Sequence, residues 1–160
     1  MHRLRRLSTA AWIAVAGLPL VAAACSNPFA TSDLERARDR LADARREWAL
    51  VGVDSYEYTV GLWCFCGDTG PVRVRVLDGV VVSRVYVPSG DPVPGDRFAN
   101  VDTVEELFDY VEAALDQRPE EVELGFGFRG VPMEAWFDYS RNVADEEGGF
   151  GVSEFAVIDS

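Results

Sequence analysis

Between Tyr56 and Val87 the apolar residues stop recurring at every third or fourth position and recur at every second one, and this change of period constrains the fold more than any other feature of the chain. Tyr56, Tyr58, Val60, Leu62 and Cys64 alternate with Glu57, Thr59, Gly61, Trp63 and Phe65, the pattern of a half-buried strand. Val72, Val74 and Val76 share one face of a second strand, with Arg73 and Arg75 on the other. Asp78-Gly79 suits a two-residue hairpin, because both central positions of a type I′ turn need positive φ, and Val80 to Val87 returns as a third strand. The result is a three-stranded antiparallel meander. Pro88 through Gly95, rich in proline and glycine, is expected to leave the sheet as a surface loop.

Helical spacing flanks the meander. Ser32 followed three residues later by Glu35 reads as a capping box, and Leu34, Ala37, Leu41, Ala44 and Trp48 then predict a helix from about Asp33 to Leu50. Its alternating arginines and carboxylates read as a solvated, salt-bridged face. A second helix is expected from about Thr103 to Gln117, capped by Asp102 or Thr103 and striped with Val104, Leu107, Phe108, Val111, Ala114 and Leu115. Val122 to Phe128 then alternates as a strand, Arg129-Gly130 turns, Met133 to Tyr139 is its partner, and Gly151 to Asp159 is the last strand. Helix, three strands, helix, three strands, with no regular β-α-β alternation, predicts an α+β domain. Its sheet has about six antiparallel strands, a three-stranded meander and then a hairpin plus the last strand, with two helices packed on it.

The N-terminus gives an address. His2, Arg3, Arg5 and Arg6 precede an apolar run from Leu7 to Ala24, and Ala22-Ala23-Ala24 leads into Cys25. This reads as a lipoprotein signal peptide over residues 1–24, with Cys25 as the diacylglyceryl-bearing first residue. A membrane span needs about 20 consecutive apolar residues, and this run is broken by Ser8, Thr9, Gly17 and Pro19. Ala22 stands where lipoprotein signals prefer leucine, which leaves plain secretion as the alternative. Two acyl chains give stable anchoring where one is marginal. Residues 25–31 are expected as a short tether, and residues 32–160 as a single domain on the outer side of the cell membrane or on the outer membrane.

Removal of the signal leaves all 27 acidic residues and twelve arginines, a mature charge of −15. Such a surface argues against nucleic acid as a partner and against adhesion to anionic lipid by charge. The membrane is therefore reached through the lipid anchor. The chain has no lysine, which removes Schiff-base and P-loop chemistry, and its one histidine, His2, lies in the signal. There is no G-x-S-x-G elbow. Neither an enzyme nor a cofactor is expected.

Three motifs carry possible chemistry. Gly125-Phe126-Gly127-Phe128-Arg129-Gly130 spells a dinucleotide fingerprint but is followed by Val131-Pro132 and another strand pattern, where the fingerprint must open a helix. A packed hairpin is the better reading. Cys64 and Cys66, in an exported protein, are expected to be oxidised. A three-residue loop adds only about 1.6 kcal/mol in the chain-entropy account, against about 3 for a 15-residue loop, so the pair is either a local clip or a reducible redox site. Asp138, Asn142, Asp145 and Glu146 offer oxygen ligands, but Val143 stands where an EF-hand needs glycine and Gly149 where it needs glutamate. A solvated acidic loop is favoured, with weak calcium binding as the alternative.

Trp48, Ser55-Tyr56-Glu57-Tyr58, Cys64-Phe65-Cys66, the Val72 to Val76 strand, Asp78-Gly79-Val80, the Thr103 to Phe108 segment, and the stretch from Gly130-Val131-Pro132 through Asp138 to Asp145-Glu146 occur in a telling order. Together they resemble a family of bacterial secreted lipoproteins catalogued as a domain of unknown function, number 6174. The similarity runs from about Leu34 to Ile158. The family's typical glycine-tyrosine-proline is Gly130-Val131-Pro132 here, a mild departure. The resemblance implies the architecture and export and assigns no reaction. The expected function is a non-catalytic binding or envelope-associated module for an unidentified protein or small molecule. The alternatives are a thiol redox protein and a calcium-dependent binder.

Overall fold

The computed structural model describes residues 28–158 apart from 65–69, 96, 141, 144 and 145. Helix α1 (Pro28–Val51) leads into strands β1 (Tyr56–Trp63), β2 (Val72–Leu77) and β3 (Val80–Tyr86); helix α2 (Val104–Asp116) then precedes β4 (Glu121–Phe126), β5 (Pro132–Asp138) and β6 (Glu147–Val157). The six strands form one antiparallel sheet in the order β3-β2-β1-β6-β5-β4. The α+β expectation holds. The last strand lies at the centre, where it joins the meander to the β4-β5 hairpin.

One face of the sheet is the core. Tyr56, Tyr58 and Val60 from β1, Val72, Val74 and Val76 from β2, and Phe137 and Phe150 from β5 and β6 are buried there against Leu41, Ala44 and Trp48 of α1 and Leu107, Phe108, Val111 and Leu115 of α2. Tyr58 Oη donates to the Val101 carbonyl (2.6 Å), and Tyr56 Oη accepts the Val104 N–H (3.0 Å), so two buried tyrosines satisfy backbone groups at the start of α2. Burial raises both phenols far above their ordinary range, so both remain neutral. On the opposite face Arg73 meets Glu154 (3.0 Å), which also accepts from Thr59 Oγ1 (3.0 Å).

Asp78 and Gly79 adopt φ of 49° and 73°, the expected I′-type turn. Thr103 caps α2 with a complete capping box: its hydroxyl accepts the Glu106 N–H (3.2 Å) and Glu106 Oε2 accepts the Thr103 N–H (2.9 Å). Thr103→Ala is expected to lower stability by about 1 kcal/mol in urea unfolding. A loss below about 0.3 kcal/mol would show that the box is dispensable.

Four expectations need correction. The first helix begins at Pro28, so Ser32 lies within it and not at its cap, and positions 28–31 of the expected tether are helical. Proline suits a first helical position because the missing N–H would have no helical partner there. β6 starts at Glu147 rather than Gly151, because Gly148 and Gly149 pair with Phe137 and Trp136. A Cβ on Gly149 would lie 2.0 Å from the Ala135 carbonyl oxygen, so that close approach needs glycine. The strand expected to run to Phe128 ends at Phe126, and the Gly125 to Gly130 run closes the β4-β5 hairpin, as expected, through a 3-10 turn at Phe128–Gly130. Finally, the proline-rich loop does touch the sheet. Pro92 bridges Val85 antiparallel, with Tyr86 N–H donating to Asp91 O (2.9 Å) and Val93 N–H to Arg84 O (3.0 Å). Neither bond requires the N–H that proline lacks.

Candidate functional site

β3 is an edge of the sheet, and that edge carries the most unusual polar arrangement in the molecule. The register pairs Arg84 with Val74, which places Arg84 on the core side of the strand. Its guanidinium reaches the chain just ahead of α2. Nη1 donates to Asp102 Oδ2 (3.0 Å) and Nη2 to the Gly95 carbonyl (2.6 Å). Asp102 is 6% exposed. Its N–H donates to Glu106 Oε2 (2.9 Å), so the α2 capping box fixes the backbone from which the carboxylate projects.

Among the described residues, Asp102 Oδ1 is the one buried side-chain polar atom without a hydrogen-bond partner. Such an atom is costly unless something completes it. Burial pushes the Asp102 carboxyl above its ordinary value, Arg84 pulls it back down and Glu106 raises it again. The pair borders a slot of about 500 Å³ lined by Val81, Val82, Ser83, Val85, Pro92 and Val93. The slot thus mixes apolar side chains with Ser83 and one neutralised ion pair. Val80 and Val82, on the same edge, are 62% and 51% exposed.

A second groove, about 400 Å³, runs along α2 between Tyr110 and Tyr139. Burial raises both phenols, and each tyrosine is only partly covered. Its polar lining includes Glu106, Asp109 and Gln117.

The residues singled out from sequence lie elsewhere. Cys25, Cys66 and Asp145 are outside the described residues. Cys64 follows β1 directly; the chain's other cysteines, Cys25 and Cys66, both lie outside the described residues. Asp138 is buried at the end of β5, where its carboxylate accepts the Ser140 N–H (2.8 Å). Asn142 and Glu146 are exposed. Among the described residues no three metal-ligating side chains come together. The sheet nevertheless brings the two regions to one end, since Trp63 pairs with Gly149 and Asp138 with Glu147 on neighbouring strands.

Sequence reasoning missed the Arg84-Asp102 pair. Asp102 read as a possible cap and Arg84 went unremarked within the Val80 to Val87 strand; 18 positions separate them and no local motif connects them. The usable signal is an arginine in the same alternation as Tyr86 on a strand whose partner buries Val72 and Val74.

Among the described residues no helix is long and apolar enough to cross a membrane. No curated protein and no solved structure matches the chain. The profile of a family of unknown function, DUF6174, matches residues 40–157, which take in the second half of α1, the whole sheet, α2 and the Arg84-Asp102 slot, and the chain belongs to that family.

Proposed function

We propose that this protein is a lipid-anchored extracytoplasmic binding domain, without catalysis, that takes its ligand in the slot beside β3. The observation that carries the binding reading is the Arg84-Asp102 pair bordering an open slot of about 500 Å³ beside the exposed Val80 and Val82 of an edge strand. The anchor reading rests on the basic, apolar and small-residue pattern that ends at Cys25.

The position of the slot fits that address. Pro28 is the first helical residue, so at most about 10 Å of chain separates it from Cys25. The early part of α1 lies beside the start of β4: Asp33, Arg36 and Arg40 border a hollow shared with Pro119 and Glu121. β4 is one edge of the sheet and β3 the other. A slot on β3 therefore lies at the sheet edge opposite the one beside early α1. In this reading Cys64 pairs with Cys66 as a clip at the strand end, and the excess of negative charge keeps the domain off anionic headgroups.

Two measurements test the two halves. Peptide mass spectra of protein purified from its own bacterium's membranes, after blocking free thiols, are expected to show diacylglyceryl on Cys25 and a Cys64-Cys66 link. An unmodified Cys25 ends the anchor reading. For the slot, titration of the full-length lipoprotein in detergent micelles with N-isobutylacetamide, an amide donor with an apolar tail, is expected to move the amide resonances of Val81 to Val85 and Asp102. Shifts confined to the Tyr110-Tyr139 groove would relocate the site.

A further inference from the structure

We infer that the slot is a strand-addition site that accepts an extended, uncharged, apolar segment of another polypeptide along the free part of the β3 edge. This rests on the reading of the slot as the binding site and names the class of its occupant. The outer edge of β3 is only half covered. Asp91 to Val93 already lies along it as a short antiparallel segment, hydrogen-bonded to Arg84 and Tyr86. Among the described residues no backbone bond joins the loop to β3 beyond Val93. There the ladder to β2 shifts register between Arg75 and Val76: Ser83 pairs with Arg75 and Val81 with Val76, so Val82 has no partner residue on β2. An uncovered edge offers backbone donors and acceptors to any chain that can lie beside it. The slot borders this uncovered part, at Val81, Val82 and Ser83.

Charge selects among occupants. Arg84 already neutralises Asp102, so an ammonium or guanidinium group entering the slot would meet the Arg84 cation, and a carboxylate would meet Asp102. What remains are five apolar side chains, Val81, Val82, Val85, Pro92 and Val93, beside the backbone groups of the edge. Neutral backbone N–H and C=O groups flanked by apolar side chains match both, and an extended peptide repeats that combination along its length. The edge itself lacks the lysine that usually guards such strands, since the chain contains none.

The test uses the full-length lipoprotein in micelles and the peptide acetyl-Thr-Val-Thr-Val-Thr-amide. Saturable shifts at Val81, Val82 and Ser83 are expected, with a Kd on the order of 1 mM. Methylating the peptide's backbone nitrogens, which keeps its side chains and removes its donors, is expected to weaken binding at least ~10-fold. Val82→Lys, checked for an unchanged amide spectrum elsewhere, is expected to do the same; should it fail to fold, the methylated peptide decides alone. Equal binding of the methylated peptide overturns the inference, because side-chain partition then explains the shifts. So does sedimentation showing that the edge is occupied by a second copy of this chain. If N-isobutylacetamide moves the slot resonances and the pentapeptide does not, strand addition falls and the slot stands as a small-molecule site. If neither moves them, the slot reading falls with it.

Discussion

Arg84→Met is expected to lower the stability of the domain by about 3 kcal/mol at neutral pH, equivalent to a fall of roughly 10 °C in Tm. The substitution keeps much of the side chain's length and apolar stem and removes the charge that compensates Asp102. The carboxylate stays almost wholly buried, with Oδ2 as well as Oδ1 then lacking a donor. The value lies at the lower end for broken buried pairs because the arginine side chain itself is 23% exposed. The Gly95 contact is lost as well, and with it one tie between the 88–101 loop and β3.

The pH dependence identifies the cause. Burial raises the folded-state pKa of Asp102 above its unfolded value of 3.8, and Arg84 opposes that rise. A group with a raised folded pKa stabilises fully below its unfolded pKa and loses that contribution as pH climbs through the folded one. Removing Arg84 widens the shift. The stability gap between wild type and Arg84→Met should therefore narrow as pH falls from about 7 to about 4.5 in paired urea titrations. A gap that stays constant across that window would mean that lost packing or the Gly95 contact, and not the penalty of an unpaired buried charge at Asp102, sets the cost.

The second large effect lies in the α1 contact. Trp48→Ala is expected to cost about 3–5 kcal/mol, or roughly 10–20 °C in Tm. Trp48 is 5% exposed and stands edge-on to Tyr56 (5.7 Å between ring centroids) and Phe155 (6.0 Å). Its Nε1 also donates to Glu105 Oε1 (2.9 Å), so one side chain ties α1 both to the central strands and to the first turn of α2. Deleting it leaves a cavity between rigid aromatic rings that cannot collapse onto one another. Trp48→Phe keeps most of the ring volume and should recover more than half of the loss. A cost under about 1 kcal/mol for the alanine variant would show that α1 rests on the sheet without being held by this contact.

The fold was legible where the pattern is local. Tyr56 to Val60 and Val72 to Val76 announce their buried face by strict alternation, Asp78-Gly79 announces its turn, and the Val104 to Leu115 stripe with Thr103 and Glu106 announces a capped helix. The expectations that failed are those in which a distant partner decides. Gly148 and Gly149 look like loop residues until β5 and β1 lie on either side of them. Pro92 looks excluded from a sheet until the bonds beside it turn out to use Asp91 and Val93. The start of α1 was misread for a more local reason: Ser32 and Glu35 fit a capping pattern, but the chain is already helical four residues earlier, from a proline that suits the first position.

The candidate site was the least legible part. Cysteines and carboxylates attract notice in a sequence because their chemistry is intrinsic to the side chain, and so Cys64, Cys66 and the Asp138 to Glu146 loop stood out. Arg84 and Asp102 become notable only through position. By itself the sequence determined the α+β class, the number of strands and helices and the likeness to its family, because these follow from periodicities and turn chemistry read within a few residues. Tertiary structure alone decided that β6 is central, that β3 is an edge with a half-covered ladder, and that a buried carboxylate lies beside it with one oxygen unclaimed. Burial and partnership are properties of neighbours far apart in the chain, and no local pattern encodes them.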